Sequence, residues 1–191
     1  MSPRLPYADP DAPDADPDAA AAAAQIRTRR TGGALLNLDR MLLHSPPFAT
    51  GWSALLGAVR NRLALRPDLR ELVICAIARL NDAPYEWLQH VGEWEAAGAT
   101  PAQVAALRGD PSGWLADPAF DGLEQLALDL TVQMTREVAV SDETVASLRR
   151  MLGAQVTVEL VGTVAAYNMV SRFLVALGID AAGEAPQGQA P

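Results

Sequence analysis

The chain of 191 residues is half apolar and carries a formal net charge of −8, enough to bury one substantial core and, on length, to form a single domain. All fifteen basic residues are arginine and Cys75 is the single cysteine. This excludes a lysine Schiff base, a phosphate-loop lysine, an intramolecular disulfide, a Cys-x-x-Cys redox pair and a cysteine-rich zinc site. Residues 1–24 hold five aspartates against Arg4, and Asp180 and Glu184 lie near the other end, so the body between the tails is nearly neutral and offers no basic field to nucleic acid.

In chain order, residues 1–24 have a Pro, Asp and Ala bias that predicts a disordered acidic arm. The arm is too acidic, and its apolar run too short, for a signal peptide, and one unpaired thiol suits a reducing compartment, so the expected location is the cytoplasm. From residue 25 to 178 the pattern is helical almost throughout. Predicted helices cover 34–43, 51–64, 68–80, 84–97, 101–107, 118–137, 142–152 and 155–177, with Thr50, Asp68, Thr100, Asp117 and Ser141 as N-caps. Thr100-Pro101 and Asp117-Pro118 are the clearest starts, because proline suits the first helical position. Asp68 and Glu71 have capping-box spacing, and Gly98, Gly153 and Gly178 stand where helices should end. No stretch alternates like a strand. The expected class is all-α, with a flexible tail over 179–191. The last helix is apolar enough to suggest a membrane span, but Glu159, Asn168 and Arg172 interrupt it and no basic cluster flanks it, so a buried central helix without membrane contact is the reading adopted.

The stretch PYEWLQH carries the chemistry. Glu86 and His90 are an i, i+4 pair on the helix of 84–97, and a carboxylate beside an imidazole raises its basicity and fixes its tautomer. That makes a general base. The same spacing also fits an exposed, weakly stabilising pair. Tyr85, Trp87 and Trp94 crowd the face and would exclude water, and the preceding helix brings Glu71.

RELVICAIARLNDAPYEWLQHVGEWEAAGAT, followed by VELVGTVAAYNMVSRFLVALG, resembles the carboxymuconolactone decarboxylase family within the wider alkylhydroperoxidase D-like group, over roughly residues 35–178. The resemblance implies an all-α, alkylhydroperoxidase D-like helical bundle that forms homo-oligomers. In the redox branch of that group a glutamate is followed by Cys-x-x-Cys-x-x-x-His. Glu71 and His90 match the outer positions, while the two cysteine positions fall on Ala83 and Glu86. What remains is similar to the decarboxylase type, in which a histidine and carboxylates move protons on a carbon acid without a cofactor or metal.

This implies a small-molecule substrate, an acidic and possibly cyclic or lactone compound, with His90, Glu86 and Glu71 as catalytic residues and Tyr85, Arg172 and Asn168 in substrate binding. Glu86 would orient His90. Glu71 is open between a second acid-base group and a structural carboxylate paired to Arg79 or Arg70. Tyr85 is open between an oxyanion donor and a packed core residue, and Arg172 between a substrate clamp and a partner of Glu159 or of a neighbouring subunit. Tyr167, Asn168 and Arg172 echo the layout of Tyr85, Glu86 and His90. His44 reads as a helix C-terminal cation or a pocket residue. Rival readings are a metal-dependent enzyme using Glu71, Glu86 and His90, and a non-catalytic helical protein of binding or assembly.

Overall fold

Proline sets the starts of most of the helices. In the computed structural model, which describes residues 2–184, the α-helices are α1 (Pro17–Arg27), α2 (Asn37–Leu42), α3 (Pro46–Asn61), α4 (Pro67–Leu80), α5 (Pro84–Ala96), α6 (Pro101–Arg108), α7 (Gly122–Arg136) and α8 (Asp142–Leu177). Helices α1, α3, α4, α5 and α6 carry proline at the first or second helical position, where its fixed φ is pre-organised and its missing donor has no partner to lose. Two 3-10 turns lie at Thr31–Gly33 and Pro111–Ala116, and no strand occurs among the described residues.

Prolines also account for two of the starts that differ from expectation. Pro46 opens α3, so Thr50 lies inside the helix and its hydroxyl donates to the Pro46 carbonyl at 3.0 Å. Pro67 opens α4, so Asp68 is not its cap; it pairs with Arg66 and leaves Glu71 for another partner. Asp117 accepts from the Ala119 amide in a turn, and α7 begins later, where Asp121 and Glu124 exchange hydrogen bonds as a capping box. Thr100 and Gln103 form the same device on α6.

Length and periodicity lead to one domain over 25–178, whereas the chain divides into two compact units. The second, Leu63–Val175, is organised about α4. Leu72 through Ile77 of this helix are all 0% exposed, and such all-round burial marks a central helix. It packs on α5 and α7. The α4–α5 turn is short, with Asp82 at positive φ. Helix α8 is long and apolar enough to cross a membrane by length and composition, but half of its apolar window is buried, including Leu160, Val164, Tyr167 and Leu174. Gly153 breaks it at φ 77°, ψ 169°, a backbone region open in practice to glycine alone.

The other unit comprises residues 2–62 and 176–184 of the described chain. Here the expectation of a disordered arm over 1–24 is corrected: residues 17–24 belong to α1. The Asp16 side chain caps the helix through the Asp18 amide, Pro17 follows, and the alanine run buries Ala19, Ala22, Ala23 and Ile26 as α1 packs on α3. Composition understates such a helix, because alanine is the best helix former and its methyl is buried as soon as a partner surface exists. The expected flexible tail differs in its first part as well. Asn37 Nδ2 donates to the Asp180 and Ala182 carbonyls, and the Arg4 amide donates to the Leu177 carbonyl. Residues 185–191 lie outside the described residues. His44, expected as a helix cation or pocket residue, is exposed and bonds the Pro6 carbonyl through Nε2 at 2.7 Å.

Candidate active site

The buried stripe of α5 is polar where a core helix is normally apolar. Its members Glu86, His90 and Trp94 recur every four residues and are 1%, 7% and 1% exposed. Burying ionisable groups is costly unless they are paired or hydrogen-bonded. For His90 the partner comes from α4. Its Nδ1 lies 2.7 Å from Glu71 Oε2, and Arg70 Nε donates to Glu71 Oε1 at 2.9 Å.

A chain Arg70–Glu71–His90 results, with Glu71 only 3% exposed. Because Nδ1 donates to a carboxylate, the proton that His90 can exchange is carried at Nε2. Burial alone would push the Glu71 carboxyl up, but the hydrogen bonds and charges of His90 and Arg70 outweigh it and hold the group below the usual carboxylate range. The site is therefore set to keep Glu71 ionised and to stabilise a positive imidazole. The ring of Tyr167, fully buried on α8, meets His90 edge-on at 5.1 Å and 89°.

Of the other expected residues, Tyr85 is buried at the start of α5, 5% exposed. Trp87 is half-buried, with the guanidiniums of Arg79 and Arg108 at 6.0 and 5.5 Å from its ring centre. Arg79 is thereby not the partner of Glu71; its Nη2 donates to the Arg108 carbonyl. Asn168 and Arg172 share one polar network. Asn168 Nδ2 donates to Thr135, Asn81 Nδ2 donates to Asn168 Oδ1 and to Ser171, and Arg172 Nη1 donates to Asn168 Oδ1 at 2.7 Å. Arg172 does not pair with Glu159, which accepts from the Leu65 amide and from Gln155. Among the described residues no cluster of three or more His, Cys, Asp and Glu side chains is arranged to hold a metal ion.

Residues 46–131 match the carboxymuconolactone decarboxylase family. That match covers a little under half of the chain. The matched segment spans α3 to α6 and most of α7, and so includes Glu71, Glu86 and His90. Two solved structures share the fold of this chain. One is an uncharacterized peroxidase-related protein from Silicibacter sp. TM1040, at TM-score 0.76 and 19% identity, with 99% of this chain and 98% of that chain covered. The other is an alkylhydroperoxidase AhpD core, an uncharacterized peroxidase-related protein from Ralstonia eutropha JMP134, at TM-score 0.75 and 16% identity, covering 95% and 93%. No curated protein matches the sequence.

The two positions that the sequence resemblance sets against redox cysteines, Ala83 and Glu86, are both buried at the start of α5. The thiol that is present, Cys75, lies one turn after Glu71 on α4 and is 0% exposed. Burial pushes its pKa well above the ordinary thiol range, and the charges of Glu71, Glu86 and Glu95 add to the effect. A thiol held protonated is a poor nucleophile.

Proposed function

We propose that the chain is a cofactor-independent acid-base enzyme acting on a small carboxylic acid, cyclic or lactone-bearing, by decarboxylation or a related proton transfer. The observation that carries this reading is the buried Arg70–Glu71–His90 chain. In decarboxylation the carbon–carbon bond to the carboxylate breaks, carbon dioxide leaves, and the electron pair stays on the substrate as an enolate or dienolate. His90 then delivers the proton from Nε2 to carbon, and the ionised Glu71 stabilises the imidazolium before transfer. Arg70 keeps Glu71 anionic. Glu86 is assigned as the second acid-base group and Tyr85 as donor to the developing oxyanion. Arg172, held by Asn168, is assigned to the substrate carboxylate.

Peroxide reduction, which the names of the two structural relatives suggest, would need an accessible thiolate, and the burial of Cys75 favours the acid-base reading. The test is incubation with a panel of small cyclic and lactone carboxylic acids in deuterated water, with loss of the carboxyl group and deuterium uptake at carbon followed by NMR. Turnover should fall by about 100-fold or more in His90→Gln. Equal turnover in that variant, or thiol-dependent peroxide consumption abolished by Cys75→Ala, would overturn the reading.

A further inference from the structure

The bond to Glu71 holds the imidazole of His90 at one atom, Nδ1. A flat ring pinned at a single atom can still rock about that bond, and rocking swings Nε2, the atom that exchanges the proton. What else lies against the ring therefore decides how far Nε2 moves. Tyr167 of α8 lies against it, with ring centres 5.1 Å apart and planes at 89°, a separation and an orientation that aromatic rings favour. In a close-packed interior, an imidazole set at right angles to a second plane cannot tilt without a clash on one side and a gap on the other.

Tyr167 is itself held firmly. It is 0% exposed, and Leu160, Val164 and Leu174 of the same helix are buried with it. The next residue, Asn168, ties α8 to two other helices: its Nδ2 donates to Thr135 of α7, and its Oδ1 accepts from Asn81 at the end of α4. His90 is thus pinned at Nδ1 from α4 and walled from α8. The geometry points to Tyr167 as a positioning residue for His90: its ring fixes the plane of the imidazole, and with it the line along which Nε2 presents its proton. The role belongs to the ring and acts through the imidazole, so a phenyl ring serves as well as a phenol. For turnover it rests on His90 acting as the proton donor proposed above, since pre-organised geometry speeds proton transfer only if that group makes it.

Tyr167→Phe keeps the ring and Tyr167→Leu removes it, while Tyr167→Met, with a longer and more adaptable side chain, carries the comparison where the leucine variant fails to fold. Full-length protein with 15N-labelled histidine is read by NMR, and His90 is told from His44 by His90→Gln. Above the pH at which His90 releases its proton, wild type and Tyr167→Phe should each show one sharp His90 pattern protonated at Nδ1. Tyr167→Leu and Tyr167→Met should broaden it or mix in the other tautomer. On a responding substrate, kcat should fall by about tenfold or more in the variants without the ring, with KM little changed, and stay close to wild type in Tyr167→Phe. Unchanged His90 signals in the variants without the ring would make Tyr167 a packing residue only and overturn the inference. Equal losses in Tyr167→Phe and Tyr167→Leu would overturn it too, by assigning the effect to the hydroxyl, and an unchanged kcat beside altered signals would remove the role in turnover. Where no acid turns over in wild-type protein, the acid-base reading fails, and the NMR comparison still decides whether Tyr167 orients His90.

Discussion

His90 Nδ1 and Glu71 Oε2 stand 2.7 Å apart between two helices that are adjacent in sequence, with both side chains almost wholly withdrawn from water. Such a contact fixes which nitrogen of the imidazole can exchange a proton, and it gives Glu71 a pH-dependent share in stability.

For turnover, the expected order is His90→Gln, about 100-fold or more down, then Glu71→Gln, about 10- to 100-fold down, since the amide still positions the ring but no longer stabilises its charge. Steady-state rates on the responding substrate check this order.

The sign of the stability effect follows from Glu71 being held below its ordinary value of 4.5. A carboxyl depressed in the folded state stabilises fully above its unfolded pKa and loses that contribution as pH falls through the folded one. Urea denaturation should therefore show the wild type more stable than Glu71→Gln near neutrality, with the gap narrowing once the pH drops below about 4.5.

Cys75 should behave as a small core residue. A thiol-specific chromogenic reagent is expected to leave it unmodified in native protein and to react at once in denaturant. Cys75→Ala should keep most turnover and cost about 1 kcal/mol, because little volume is lost, whereas Cys75→Ser should cost about 1–3 kcal/mol by burying a hydroxyl.

Much of the site is legible in the sequence because its spacing is local. The i, i+4 repeat of Glu86 and His90 holds on any helix, and both are buried on α5. That Glu71 takes Nδ1 is not legible, since it depends on how α4 lies along α5 and not on any interval within one helix. Tyr167 is hidden for the same reason: its edge-on contact with His90 joins residues 77 positions apart along the chain. Helix α1 was concealed by composition. Alanine looks indifferent in a sequence and becomes core only when α3 supplies a surface.

That surface makes α1 testable. Ile26 is 4% exposed, so Ile26→Ala should destabilise by about 2–4 kcal/mol in chemical denaturation. Deletion through residue 27 should lower the melting temperature by many degrees.

The network around Asn168 separates stability from binding. Asn168→Ala removes an acceptor shared by Asn81 and Arg172 and should cost about 1–3 kcal/mol. Arg172 is exposed, so Arg172→Gln should alter stability by no more than about 0.5 kcal/mol and, under the proposed function, raise KM with kcat little changed.

The break at Gly153 bears on how the chain tolerates changes of length. In an uninterrupted helix each inserted residue turns everything downstream by roughly 100°, which would swing Tyr167 away from His90 and Asn168 away from Asn81. At Gly153 the helical path already stops and restarts, with the Thr157 hydroxyl bonded to its carbonyl at 2.7 Å. Residues gained or lost at this seam can be absorbed before the second segment begins, so homologues with insertions here can keep the angular setting of the residues that face the imidazole.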